Sequence, residues 1–217
     1  MGVFERFTGE SRFMSAISGF FELLFIGLVW LAVSLPVVTL GASTTALYYT
    51  VVKTVVHERG RLLKTFFRAF KSNFRQSTVI WLIIALYAAL GAADMYALGV
   101  MGFGRDSGSI MYYISVLFFV PAAITALWVF AYTSRFGGSV GETLKYVWYL
   151  AIRNFGRTLL LCLIVGGTAA VCWLIPLISP LLPGVCCFLT SMVIEPVFKA
   201  ITAERDDDDN RDKWYNE

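Results

Sequence analysis

The sequence predicts an all-α protein: a polytopic transmembrane helical bundle of five to six spans, with cytoplasmic amphipathic helices and a weak internal repeat. Three observations carry that prediction. Hydrophobic residues make up 58% of the 217 residues and charged ones only 15%, whereas soluble domains usually carry about 25% charged residues. The apolar residues fall into long runs, several of them near the ~20 residues that a helix needs to cross ~30 Å of hydrocarbon. Basic residues concentrate in two of the links between those runs, the pattern of cytoplasmic loops. No polar stretch is long enough to fold alone. Residues 1–200 therefore read as one membrane domain and 201–217 as an acidic, mobile cytoplasmic tail.

The first apolar run, residues 20–35 with its flanks, is longer than the h-region of a signal peptide and leads into further membrane segments, so it is expected to stay attached. Residues 78–100, 110–132, 158–175 and 185–198 complete five clear spans. Residues 42–56 are short for a span and contain Lys53, which leaves a choice between crossing the bilayer and lying flat at its surface. Two internal similarities favour crossing, and hence six segments over five. At an offset of 81, Gly60, Leu63, Lys64, Asn73 and Phe74 match Gly141, Leu144, Lys145, Asn154 and Phe155. At an offset of 80, Thr45-Ala46-Leu47-Tyr48 matches Thr125-Ala126-Leu127-Trp128, which lies inside a clear span. In addition, the Pro- and Gly-containing turns LPVVTLG and IPLISPLLPG each separate two apolar runs, as tight helical hairpins require.

The link after the second segment carries Lys53, Arg59, Arg61, Lys64, Arg68, Lys71 and Arg75 against Glu58 alone. A second basic link has Arg135, Lys145, Arg153 and Arg157 against Glu142, while residues 99–108 hold only Arg105 and Asp106. The positive-inside rule assigns both basic links, and with them the C-terminal tail, to the cytoplasm. The N-terminus is cytoplasmic with six segments and external with five. Within the first link, Arg61, Lys64, Arg68, Lys71 and Arg75 recur at steps of three and four on one helical face, with Leu62, Phe66, Phe67, Phe70 and Phe74 opposite. Such a helix suits the headgroup boundary, its phenylalanines sunk in lipid or protein. Arg61, Lys64, Phe66, Phe67, Arg68, Phe70, Lys71, Asn73, Phe74 and Arg75 are accordingly the candidate contacts to lipid headgroups or to a partner.

Charges at membrane depth cost about 2.5–3.5 kcal/mol on insertion scales, which draws attention to Glu22, Asp94 and Glu195. All three are expected near an interface. Asp94 is the candidate for a polar pathway, because Gly91, Ala92 and Ala93 thin its helix. His57 is the single histidine, and the chain has no HExxH, P-loop or glycine-rich dinucleotide motif. No enzymatic activity, cofactor, metal or nucleic-acid partner is therefore expected. Cys162, Cys172, Cys186 and Cys187 lie in apolar runs without ligand spacing and read as small apolar fillers.

The segments LPVVTLGASTTALYYTVVK and FFRAFKSNFRQSTVIWLI resemble the signature of the YesL-like family of bacterial membrane proteins, a domain of unknown function numbered 624. The resemblance implies a multi-spanning protein of Gram-positive bacteria, encoded beside carbohydrate ABC importers, and hence an accessory role in sugar uptake. It brings no catalytic or binding residues with it. The partners expected are the lipid bilayer and the ABC permease subunits of a sugar importer, met through the Phe66 to Phe74 helix and small-residue faces such as Gly166-Gly167. The competing expectation is a self-sufficient small-solute transporter or channel built on the internal repeat.

Overall fold

A computed structural model describes the backbone of residues 2–56, 61–100 and 110–214, and within them the side chains of 17–54, 61–100, 110 and 113–203. The chain order is α1 (Gly2–Ser34), a 3-10 turn (Val37–Thr39), α2 (Leu40–Thr50), a π-helical segment (Val51–Val56), α3 (Leu62–Val100), α4 (Ile110–Arg135), α5 (Val140–Arg153), α6 (Phe155–Leu174), a second 3-10 turn (Pro176–Ile178) and α7 (Leu182–Trp214). No strand occurs among the described residues. Five helices are long and apolar enough to cross a membrane, within Ile17–Ser34, Leu62–Val100, Tyr113–Arg135, Phe155–Leu174 and Leu182–Ala203. They coincide with the five clear spans read from the sequence.

The two proline turns fold alike. A proline disfavours helix at the residue before it and supplies no N–H, so each apolar run stops there. After Pro36 the Thr39 N–H bonds the Pro36 carbonyl at 2.8 Å, and the Thr39 hydroxyl reaches back to the Val33 carbonyl at 2.6 Å. After Ile175 the corresponding bonds are Ile178 N–H to Ile175 O at 3.1 Å and Ser179 N–H to Pro176 O at 3.2 Å. Each turn thus reverses the chain into a helical hairpin.

The doubtful sixth segment occupies the centre of the bundle. Eight of the eleven residues of α2 are buried, on every side of the helix, and a helix enclosed all round belongs in a core rather than on a bilayer surface. It runs antiparallel to the first half of α3. Gly41 lies against Ser77 and Trp81, where a Cβ would collide with the Ser77 carbonyl and the Trp81 Cβ. Further along, Thr45 and Ser77 share a hydroxyl bond of 2.9 Å. On the opposite side the Trp30 indole donates to Thr44 at 3.2 Å, and Ser34 and Ser43 bond at 2.7 Å. Helix α7 approaches α1 at Gly184, where a Cβ would strike the Leu23 carbonyl. Small residues at both crossings let backbones come together, which is how helices associate where the surrounding solvent is as apolar as they are.

The internal repeat is present in the packing. Phe66, Ala69, Ser77 and Ile80 of α3 are buried, and so are Val147, Leu150, Thr158 and Leu161, each 81 residues later. Thr45 and Tyr48 are buried in α2, as are Thr125 and Trp128 of α4, 80 residues later. Hydrogen bonds repeat as well. Thr45 bonds the Gly41 carbonyl and Thr125 that of Pro121. Asn73 bonds Ala69 O and Asn154 bonds Leu150 O, both at 3.1 Å. Ser77 receives the α2 helix through Thr45, and Thr158 receives α4 through the Trp128 indole at 3.1 Å.

The copies differ at one joint. In the first, the amphipathic stretch continues unbroken into the span, giving the 39-residue α3. In the second, Asn154 leaves helical geometry (φ −114°, ψ 46°) and separates α5 from α6. Gly156 stands two residues after that asparagine where the first copy has Arg75, and glycine is about 1 kcal/mol poorer than alanine inside a helix.

Candidate functional site

Three side chains from separate elements meet inside the bundle. Arg135, the last residue of α4, pairs through Nη2 with Glu195 Oε2 of α7, and the Tyr48 hydroxyl of α2 donates to Glu195 Oε1 at 3.2 Å. The Glu195 side chain is 8% exposed and that of Arg135 34%. Glu195 is therefore enclosed by the protein itself. A carboxylate inside a span is tolerable only with partners for both oxygens, and here each oxygen has one.

Above Tyr48 opens a cavity of about 610 Å³ between α1, α2, α4, α6 and α7. Its walls are mostly apolar, with Leu127, Phe130, Ala169 and Ile194 beside Tyr48 and Cys187, and with threonines at 44, 168 and 190. The four cysteines are all free, and each borders this cavity. No group of His, Cys, Asp or Glu arranged to hold a metal occurs among the described residues.

A second site lies at the same, C-terminal end of α2. Lys53 of the π-helical segment, with Arg61, Lys64, Thr65 and Arg68 at the start of α3 and Tyr49 of α2, lines a pocket of about 280 Å³. Lys53 Nζ donates to the Tyr49 hydroxyl at 3.2 Å and lies 5.3 Å from its ring centroid.

The structure divides the basic helix of the sequence analysis into three parts. Phe66 is wholly buried and stacks on the half-buried Phe70, so this edge is sunk in protein and offers no surface to a partner. Phe67, Phe74, Lys71 and Arg75 are exposed, and Asn73 is spent on its own backbone. Arg61, Lys64 and Arg68 turn into the basic pocket. Asp94, the candidate for a polar pathway, accepts a hydrogen bond from Ser115 Oγ across the α3–α4 contact. Along α4 that contact is twenty residues from Arg135, about 30 Å of helix, so Asp94 and Glu195 form no relay. His57, Arg59, Arg105, Asp106 and the side chains of the acidic tail lie outside the described residues.

Sequence reasoning missed the association of Tyr48, Arg135 and Glu195. Glu195 signalled that a partner must exist, but Arg135 was counted among loop charges, and 60 residues separate the two. The model of the family described as "Protein of unknown function, DUF624" matches residues 23–95. Residues 23–95 are thus similar to DUF624. This is the family that the sequence resembles. The DUF624 match begins at Leu23, where α1 crosses α7, and covers the first proline turn, α2, the π-helical segment and most of α3. It thereby includes the whole basic pocket and Tyr48, and leaves Arg135 and Glu195 outside. No curated protein and no solved structure matches the chain.

Proposed function

We propose that this chain is a non-catalytic membrane subunit that packs beside the membrane domain of another protein, the permease of a carbohydrate ABC importer being the partner that the family resemblance implies. The observation that carries the reading is the outward face of α6. Only Thr158 and Leu161 of that span are buried, and a Cβ added at Gly166 or Gly167 would meet nothing within 4 Å. Adjacent glycines weaken a helix, and their use in a membrane is to let a second backbone approach closely. Gly41 and Gly184 serve that purpose within the chain; at Gly166 and Gly167 no helix of the chain takes up the space.

The neighbouring cavity supports the same reading over sugar passage. A sugar's hydroxyl groups need hydrogen-bonding partners along their path, and the polar side chains in these mostly apolar walls, Trp30, Thr44, Tyr48, Thr168 and Thr190, already bond within the chain. The test is capture of the tagged protein from its native membrane in mild detergent, with bound proteins identified by mass spectrometry. Permease subunits are expected to be enriched, and the double variant Gly166→Leu/Gly167→Leu is expected to lose them at an unchanged melting temperature. Recovery of the chain alone, or undiminished capture by the variant, sinks the proposal.

The structural repeat favours a second reading, a self-sufficient small-solute transporter, since duplicated halves commonly flank a substrate path. Solute flux into liposomes containing only the purified chain distinguishes it.

A further inference from the structure

Among the described residues, no acidic group in the basic pocket balances its charge. Its described lining contains Lys53, Arg61, Lys64 and Arg68, four cations, with Tyr49 and Thr65 and no acidic side chain. The cations come from two elements, so their convergence is a product of the fold and not only of helical periodicity. Lys64 and Arg68 stand four residues apart on α3, and Arg61 immediately precedes that helix. Lys53 arrives from the opposite wall on the π-helical segment Val51–Val56. Such i→i+5 segments are rare and recur at functional sites, because the widened turn re-aims the side chains it carries. The amphipathic pattern alone places the basic groups of α3 toward water; facing Lys53 across a cavity is not something a solvated face requires.

The polar atoms suit one kind of occupant. Ammonium and guanidinium groups bring donors only, and arginine forks match the oxygens of phosphate in pairs. Tyr49 accepts from Lys53, which leaves its own O–H to donate. A ligand here must then be rich in acceptor oxygens and negatively charged, and it relieves the mutual repulsion of four like charges. The half-buried Lys53 and buried Thr65 form the floor, while Arg61, Lys64 and Arg68 are exposed at the rim, open to entry.

We infer that Lys53, Arg61, Lys64 and Arg68 form a binding site for a phosphate group. The phosphate is carried either by a lipid headgroup or by a small anion in solution, and the same donor set recognises both. The site is independent of the α6 face.

The experiment uses the full chain in nonionic detergent. Calorimetric titration with inorganic phosphate tests the soluble source, and native mass spectrometry after addition of phosphatidic acid or phosphatidylcholine tests the headgroup. Saturable binding of phosphate, or retention of phosphatidic acid over phosphatidylcholine, is expected. The pocket variant Lys53→Gln/Arg68→Gln is expected to weaken it by about tenfold or more, the size of one or two lost charge-assisted hydrogen bonds. The control Lys71→Gln/Arg75→Gln removes the same charge from α3 outside the pocket and is expected to change affinity less than about twofold at fixed salt. Equal losses in both variants would overturn the site in favour of diffuse attraction to a basic helix, and so would absence of binding by both probes. If the pocket variant misfolds, Arg61→Gln/Lys64→Gln at the exposed rim replaces it with the same expectation. Phosphate binding without lipid retention assigns the soluble source, and lipid retention that phosphate does not displace assigns the headgroup.

Discussion

Glu195 and Arg135 are not equivalent halves of their pair. The carboxylate is almost wholly enclosed, whereas a third of the arginine side chain reaches the surface and its long stem lets the head follow solvent. Removing the arginine strands a buried charge, and breaking a buried pair from that side costs about 3–5 kcal/mol. Arg135→Gln is expected near the low end, about 3 kcal/mol, because part of the site is already wet. Glu195→Gln keeps an acceptor for Tyr48 and leaves only a cation that can reorient, so its loss is expected to be clearly smaller. Thermal unfolding in detergent reads both, and equal shifts would contradict this asymmetry. A carboxylate in an apolar run is visible in a sequence; the residue that neutralises it is not. Arg135 sits at a helix end where basic residues serve topology, and only the folded contact separates it from Arg157 or Lys145.

At the scale of elements, α5 shows how a local motif fixes a boundary. Ser139 caps the helix: Glu142 N–H donates to Ser139 Oγ at 3.3 Å and Ser139 N–H to Glu142 Oε2 at 3.0 Å. The backbone bond from Ser139, then its side-chain bond, holds the Glu142 carboxyl below its ordinary value of 4.5. Since the folded-state value is the lower one, the contribution to stability is complete above that ordinary value and is lost as pH falls through the folded one. Ser139→Ala is expected to cost about 1 kcal/mol at neutral pH, and Glu142→Gln, which removes the titrating carboxyl, to flatten the acid limb below pH 4.5, as urea unfolding across that range would register. A variant whose acid limb matches the parent's would remove the capping box as its cause. Spans and hairpin turns were legible in sequence because apolar length and proline act locally. The joint at Asn154 was not, since the matching Asn73-Phe74 continues as helix and the outcome depends on neighbours such as Gly156.

For the molecule as a whole, five helices qualify as spans on length and apolarity, and α2, with 11 residues, is too short to be among them. Its sequence, rich in Ser, Thr and Tyr, suits an enclosed helix whose hydroxyls bond to α1, α3 and its own backbone. Chain parity ties the topology to the number of crossings. If α2 and the π-helical segment cross as a sixth segment, the positive-inside rule predicts both termini on the cytoplasmic side with the basic links. Labelling of single cysteines placed at residue 2 and residue 217 in a cysteine-free background is expected to find both on the same side as Lys71. Opposite sides would return the count to five.

The unbroken joint in α3 has a mechanical corollary. Its 39 residues form one rod of about 58 Å, nearly twice the ~30 Å hydrocarbon thickness, with no proline to act as a hinge. A long helix meets a thinner bilayer by tilting, and a stiff rod that tilts at one end must swing at the other. Lipid thickness around the outer half of α3 and the position of its basic half relative to the headgroups are thus one degree of freedom. The second copy, broken at Asn154, lacks that linkage, so the duplication has given the protein one rigid lever and one jointed one.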